Sequence, residues 1–137
     1  MTEDVTYAVE DDLSPDEFID VLRRSGLAER RPVDDAARIA RMVENADLMV
    51  TARDGNGMLI GVSRCITDFA YCCYCSDLAV DAAWHSRGIG RELMRRSHAA
   101  AGPGTTFLLT AAPQAMSYYP QAGLEKFENC FGIHRKS

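Results

Sequence analysis

The sequence predicts a mixed α/β fold in one domain, with three antiparallel strands followed by a single βαβ unit. Three observations point there. Two helices with clear start signals lie near the N-terminus, and the strand-like runs from 48 to 66 are interrupted by Asp54-Gly55-Asn56-Gly57, a turn dense in Asx residues and glycine. A strand from Ala70 to Val80 then runs into a glycine-bearing turn that opens a helix, and a short apolar strand follows that helix. A helical crossover between neighbouring strands makes them parallel, which sets the last pair apart from the rest.

Taken in order, Tyr7 to Val9 is a short first strand. Ser14-Pro15-Asp16-Glu17 reads as a capping box with proline at the first helical position, followed by Phe18, Ile19 and Leu22 on one side and Gly26 as the stop. Arg30-Arg31-Pro32 breaks the chain. Asp34 or Asp35 then caps a second helix in which Ile39, Met42, Val43 and Ala46 fall at helical spacing. Leu48 to Arg53 and Met58 to Ile66 form the hairpin, and a reversal near Thr67-Asp68-Phe69 leads into the Ala70 to Val80 strand. The next helix runs from about Gly90 to Ala101 with Ile89, Leu93, Ser97 and Ala100 inward, ending at Gly102-Pro103-Gly104. Thr106 to Thr110 is the parallel strand. A short helix from Gln114 to Gln121, a turn at Gly123 and two weak strands near Lys126 and Phe131 complete the prediction.

Composition excludes several classes of function. A chain of 137 residues, 47% hydrophobic, is long enough for one core and too short for two. No apolar run reaches the ~18 residues of a membrane span, and the acidic start is the opposite of a signal peptide's basic one, so a cytoplasmic protein is expected. A net charge of −5 argues against general affinity for nucleic acid. Five cysteines, three crowded at Cys72, Cys73 and Cys75, are an odd number and suggest reduced thiols rather than a disulfide framework. Their alternation along a strand, with no partner His set, argues against a zinc site.

The turn His85-Ser86-Arg87-Gly88-Ile89-Gly90-Arg91 carries the functional signal. At a helix start the first N–H groups lack intrahelical acceptors and lie at the positive end of the dipole, so a phosphate there is both hydrogen-bonded and charge-compensated. Between His85 and His98 the chain has Arg87, Arg91, Arg95 and Arg96 against Glu92 alone. It is not a P-loop, which needs Lys-Ser or Lys-Thr after the last glycine, and it lacks the third glycine of a dinucleotide fingerprint.

The segment from Leu78 to Met94 resembles the coenzyme-binding motif of the GNAT superfamily of N-acetyltransferases, a Gln/Arg-x-x-Gly-x-Gly/Ala loop after a strand ending in a small-apolar triplet. Downstream, Ala115-Met116-Ser117-Tyr118-Tyr119-Pro120-Gln121-Ala122-Gly123-Leu124 resembles that superfamily's Ala-x-x-aromatic-Tyr-x-x-x-Gly-Phe helix and turn. His85 replaces the usual Gln or Arg, Ala112 stands where Asn is common, and Leu124 replaces Phe. The resemblance implies a curved, mostly antiparallel sheet with one splayed parallel pair, and acetyl-CoA as cosubstrate with no metal. It implies acetyl transfer to a primary amine, on a small molecule or peptide, by direct attack through a tetrahedral intermediate. Leu78, Ala79, Val80, Ser86, Arg87, Gly88, Ile89, Gly90 and Arg91 would hold the coenzyme, and Tyr119 would donate to the departing thiolate, with Tyr118 as its substitute. Pro120 is expected to push Tyr119 out of helical geometry.

The general base stays open. Tyr74, Ser76, Leu78 and Val80 share one face of a regular strand, leaving Asp77 on the other unless a bulge near Ser76 redirects it; Asp68, Glu44 and water relayed by Tyr74 are alternatives. In this superfamily the first two helices and their connection often wall the acceptor, where Arg30-Arg31 would meet an acidic group or remain a solvated loop. The acidic surface leans instead toward cationic acceptors. A homodimer accords with the family's habit. The rival readings are a catalytically silent acyl-CoA-binding regulatory module and a structural domain whose Gly-x-Gly is only a turn.

Overall fold

The computed structural model describes residues 4–136. Its sheet has five strands in sequence order: β1 (Thr6–Val9), β2 (Leu48–Arg53), β3 (Leu59–Thr67), β4 (Cys72–Val80) and β5 (Thr106–Leu108). All pairs are antiparallel except β4 with β5, which is parallel because the crossover helix α3 (Ile89–Ala101) joins them.

Helices α1 (Pro15–Ser25) and α2 (Ala36–Glu44) cover one face and α3 the other. α1 starts where Ser14 Oγ accepts from Glu17 N at 3.1 Å, and it stops where Gly26 N donates to Arg23 O. Asp35, not Asp34, caps α2 by accepting from Arg38 N at 3.0 Å. Phe18, Val21 and Leu22 of α1 and Ile39 and Val43 of α2 pack on Met49, Leu59, Val62 and Ala79. On the opposite face, Ile89, Leu93 and Ala101 of α3 pack on Leu48, Val50, Ala52, Ile60, Cys65, Cys73 and Cys75. Each of the larger side chains buried there stabilises the fold by ~1.5–3 kcal/mol relative to exposure.

Three expectations need correction. Ala100 is exposed, and Met94 and Ala101 take inward positions beside Ile89, Leu93 and Ser97, because the turn after Ser97 reaches the sheet four residues on rather than three. The short helix α4 (Tyr118–Gln121) is preceded by a separate 3-10 turn over Pro113–Ala115 instead of running on from Gln114. Among the described residues, no strand forms near Lys126 or Phe131. Phe131 and Ile133 are almost fully exposed there, and the three-residue β5 offers little edge for pairing.

Candidate active site

β4 changes character half-way along. It pairs with β3 over its length, but with β5 only at Cys72↔Thr106, Cys73↔Phe107 and Tyr74↔Leu108, after which the parallel strands part. Just past that point Arg64 pairs with Asp77 and Cys65 with Cys75, so Ser76 is the extra residue of a β-bulge. The bulge flips the side chains. Cys73 and Cys75 face the α3 core, whereas Asp77 and Ala79 face α1 and α2. Tyr74 therefore does not share a face with Leu78 and Val80, which an unbulged strand would require; those two pack on the α3 side.

The same bulge sets which backbone groups are open. Asp81 N donates to Ile60 O at 2.8 Å, and alternation along an antiparallel ladder then turns Ala79 and Asp77 toward β3 and Leu78 and Val80 toward the vacated edge. Of the three predicted coenzyme contacts on β4, Ala79 thus directs its backbone to Val62 and its side chain into the core. Leu78 and Val80 present theirs outward. His85 Nε2 lies 2.8 Å from Val80 O, so the ring donates to a strand-edge carbonyl rather than projecting into the turn.

The turn itself is built to leave donors unfilled. Ser86 (φ 65°) and Gly88 (φ 80°) both take left-handed backbone, and Gly88 O accepts Glu92 N at 3.0 Å to begin α3. No side chain caps this helix. The amides of Ser86, Gly88, Ile89, Gly90 and Arg91 donate to no acceptor among the described residues. Ile89's side chain is buried in the α3 core, so only its backbone is offered outward. The basic residues divide. Arg95 and Arg96 bind Glu92 at 2.7 and 2.6 Å, and these two guanidiniums hold its carboxyl down to about 2. Arg91 is exposed, and Arg87 lies over the Trp84 ring at 4.7 Å.

Two tyrosines of α4 face this region differently. A Cβ on Gly90 would fall 2.8 Å from Tyr118 Oη, which places that hydroxyl directly over the first turn of α3. Tyr119 is half-buried, its ring edge-on to Tyr118 at 5.1 Å. Burial pushes its phenol up to about 12, while the charge of Arg31 pulls the other way. Pro120 does not displace it: Pro120 sits in the first turn of α4, where its missing N–H has no intrahelical partner to lose, and Tyr119 stays within the helix.

The base candidates are mostly engaged. The side chain of Asp77 is fully buried, and both its oxygens are taken, one by Arg31 Nε and the other by Arg64 Nε. Asp68 accepts the amides of Ala70, Tyr71 and Cys72 at 2.9, 2.8 and 3.1 Å, which hold its carboxyl below the usual range. Glu44 is exposed at the end of α2. Tyr74 Oη meets Thr110 Oγ1 at 3.1 Å, close to where β4 and β5 diverge. Sequence reasoning left Arg31 either to meet an acidic group or to stay in a solvated loop, and gave Arg64 no role. The signal was available: an arginine inside the otherwise apolar run of β3 and an aspartate inside β4 each require a buried partner.

The thiols form no ligand set. Cys65, Cys73 and Cys75 gather on the α3 face, with Ser63 Oγ 3.4 Å from Cys65 Sγ and 3.5 Å from Cys75 Sγ, and all are free. Among the described residues no three His, Cys, Asp or Glu side chains are arranged to hold a metal ion, and no helix is long and apolar enough to cross a membrane.

The model of the acetyltransferase (GNAT) domain matches residues 44–125, from the end of α2 through the turn after α4. The chain belongs to the GNAT acetyltransferase family. The matched stretch holds both the open edge of β4 and the α3 turn. Several solved structures share the fold across nearly the whole chain. A GNAT family acetyltransferase from Streptococcus pneumoniae is 15% identical with a TM-score of 0.78, the match covering 98% of each chain. An aminoglycoside N-acetyltransferase in complex with CoA is 13% identical at TM-score 0.75, over 100% of this chain and 98% of that one. A GNAT family N-acetyltransferase from Escherichia coli, also in complex with CoA, is 20% identical at TM-score 0.70, over 91% and 71%. No curated protein matches the chain in sequence.

Proposed function

We propose that this GNAT protein is an acetyl-CoA-dependent N-acetyltransferase acting on a primary amine by direct attack, with no covalent enzyme intermediate. The observation that carries the reading is the set of unfilled amides at Ser86, Gly88, Ile89, Gly90 and Arg91, beside a strand edge that β5 leaves at Leu78 and Val80, where His85 holds the Val80 carbonyl and the Val80 N–H stays outward. Two structures of the same fold are complexes with CoA, which supports that ligand here. In this reading the amides take the diphosphate at the helix dipole's positive end, with Arg87 and Arg91 adding charge. Leu78 and Val80 take the extended pantetheine arm as an added strand.

Acetyl-CoA supplies a thioester whose acetyl carbon the amine attacks. Tyr119 serves the departing sulfur as a hydrogen-bond donor rather than as a full acid. A phenol near 12 facing a thiol near ~8.5 makes complete proton transfer uphill by roughly 5 kcal/mol. A donated hydrogen bond to a developing thiolate needs no such transfer and contributes ~1.5–3 kcal/mol. Both oxygens of Asp77 are bound, and water reached past Tyr74 and Thr110 accepts the amine's proton.

Calorimetry with coenzyme A, beside an amine screen that follows thiol release, tests the reading. Binding with turnover of at least one amine is expected. Binding without turnover of any amine would leave a silent acyl-CoA-binding module, and no binding at millimolar ligand would leave a structural turn.

A further inference from the structure

The geometry points to an acceptor that carries a carboxylate close to its amino group, the amino-acid class, with Arg31 as the residue that reads that carboxylate. This rests on the transferase reading above and adds the substrate class.

The argument begins with charge. One carboxylate, Asp77, lies between two guanidiniums, so the Arg31–Asp77–Arg64 cluster keeps one positive charge. That charge is not exposed at Arg64, whose side chain is only 9% exposed and closed in by Ser76 Oγ at 2.9 Å and Met42 O at 3.4 Å. Arg31 is 23% exposed and is the member that reaches solvent. Its Nη1 donates to Arg30 O and its Nη2 to Ser76 O, each at 2.8 Å, which leaves one hydrogen on each terminal nitrogen for a further acceptor.

Position makes that guanidinium relevant to the acceptor. Ser76 is the bulge residue just beyond the last β4–β5 pair, so Arg31 is pinned where the strands have already parted. Its charge is also felt by the Tyr119 phenol. An amine attacking a carbonyl held between Tyr119 and the open edge of β4 therefore arrives beside Arg31. Among the described residues, the carboxylate beside Arg31, Asp77, has both oxygens taken up by guanidiniums and offers no free site to a cation.

Chemistry then separates the amine classes. A polycation is repelled, whereas a carboxylate accepts charge-assisted hydrogen bonds from the arginine fork. The positive charge of Arg31 also lowers the pKa of an amine held beside it and so enlarges that amine's neutral fraction. In the reaction the N–C bond forms as the C–S bond breaks, the sulfur takes the Tyr119 hydrogen bond, and the ammonium proton leaves to water. A dedicated carboxylate base is not required.

The test compares the standard amino acids with their methyl esters, and with spermidine and kanamycin, in the thiol-release assay on the full chain. With every rate expressed per neutral amine, free amino acids should be turned over best, with kcat/KM falling about 10- to 100-fold for the ester, the span expected for a charge-assisted hydrogen bond. Arg31→Lys, which keeps the charge and loses the fork, should lower kcat/KM about 10-fold more on the acid than on the ester. Equal rates for acid and ester, or spermidine or kanamycin as the best acceptor, would overturn the inference while leaving the transferase reading standing. Coenzyme binding with no thiol release from any amine would overturn the transferase reading and this inference with it.

Discussion

Two glycine-bearing turns in this chain handle their amides in opposite ways. In the β2–β3 turn, Asp54 Oδ1 accepts from Asn56 N and Met58 N at 2.9 Å each, and Asp54 O accepts from Gly57 N at 3.0 Å. The turn is satisfied from within. In the turn before α3, no side chain among the described residues plays that part, and five amides there have no acceptor among them. Gly-rich composition is common to both; the difference is a single internal carboxylate. In the proposed reading, what marks the α3 turn as an anion site is the acceptor it lacks rather than the glycines it has.

The largest expected effect comes from making the second turn resemble the first. Ser86 already has left-handed backbone, which aspartate tolerates, so Ser86→Asp should fill the cradle with its own carboxylate. Coenzyme A binding should weaken by about 100-fold or more in calorimetry, since more than one charge-assisted bond is lost. Next, Tyr119→Phe should lower kcat about 10- to 100-fold with KM for acetyl-CoA nearly unchanged, because its hydrogen bond matters only as the thiolate develops.

The contrast between these turns also explains what was legible in the sequence. The β2–β3 turn was readable because Asp54, Asn56 and Gly57 satisfy local rules within five residues. The α3 turn was readable as a helix start, and its likeness to a known motif supplied the ligand. Tyr74 was placed on the face of Leu78 and Val80 because a bulge is a pairing event between Arg64, Cys65 and β4; alternation could name a bulge near Ser76 as an option but could not decide it. The pairing of Arg31 with Asp77 and Ser76 was not legible for a related reason: those partners lie 46 and 45 residues away.

Gly90→Ala gives a smaller and more diagnostic effect. The new Cβ meets Tyr118 Oη at 2.8 Å, so the tyrosine must shift over the cradle. Coenzyme A affinity should fall about 10-fold, the scale of a ~1–3 kcal/mol overpacking cost, and recover in the Gly90→Ala/Tyr118→Phe double variant, where the clashing atom is gone. Asp54→Ala should leave coenzyme binding unchanged while lowering stability by ~1–2 kcal/mol in chemical denaturation, as two amides lose their acceptor.

The smallest effect concerns Glu92. Its carboxyl is depressed from 4.5 to about 2 in the folded chain, so its contribution is present above pH ~4.5 and lost as pH falls toward 2. The pair is surface-exposed and contributes at most ~1 kcal/mol. Melting curves of wild type and Glu92→Gln should differ slightly at pH 6 and converge near pH 2.

The most direct test is amide mapping by NMR during titration with coenzyme A. The account predicts the largest shifts at Ser86, Gly88, Ile89, Gly90 and Arg91, with Asn56, Gly57 and Met58 unmoved. Saturable binding that leaves the first group still, or shifts confined to other parts of the chain, would contradict it.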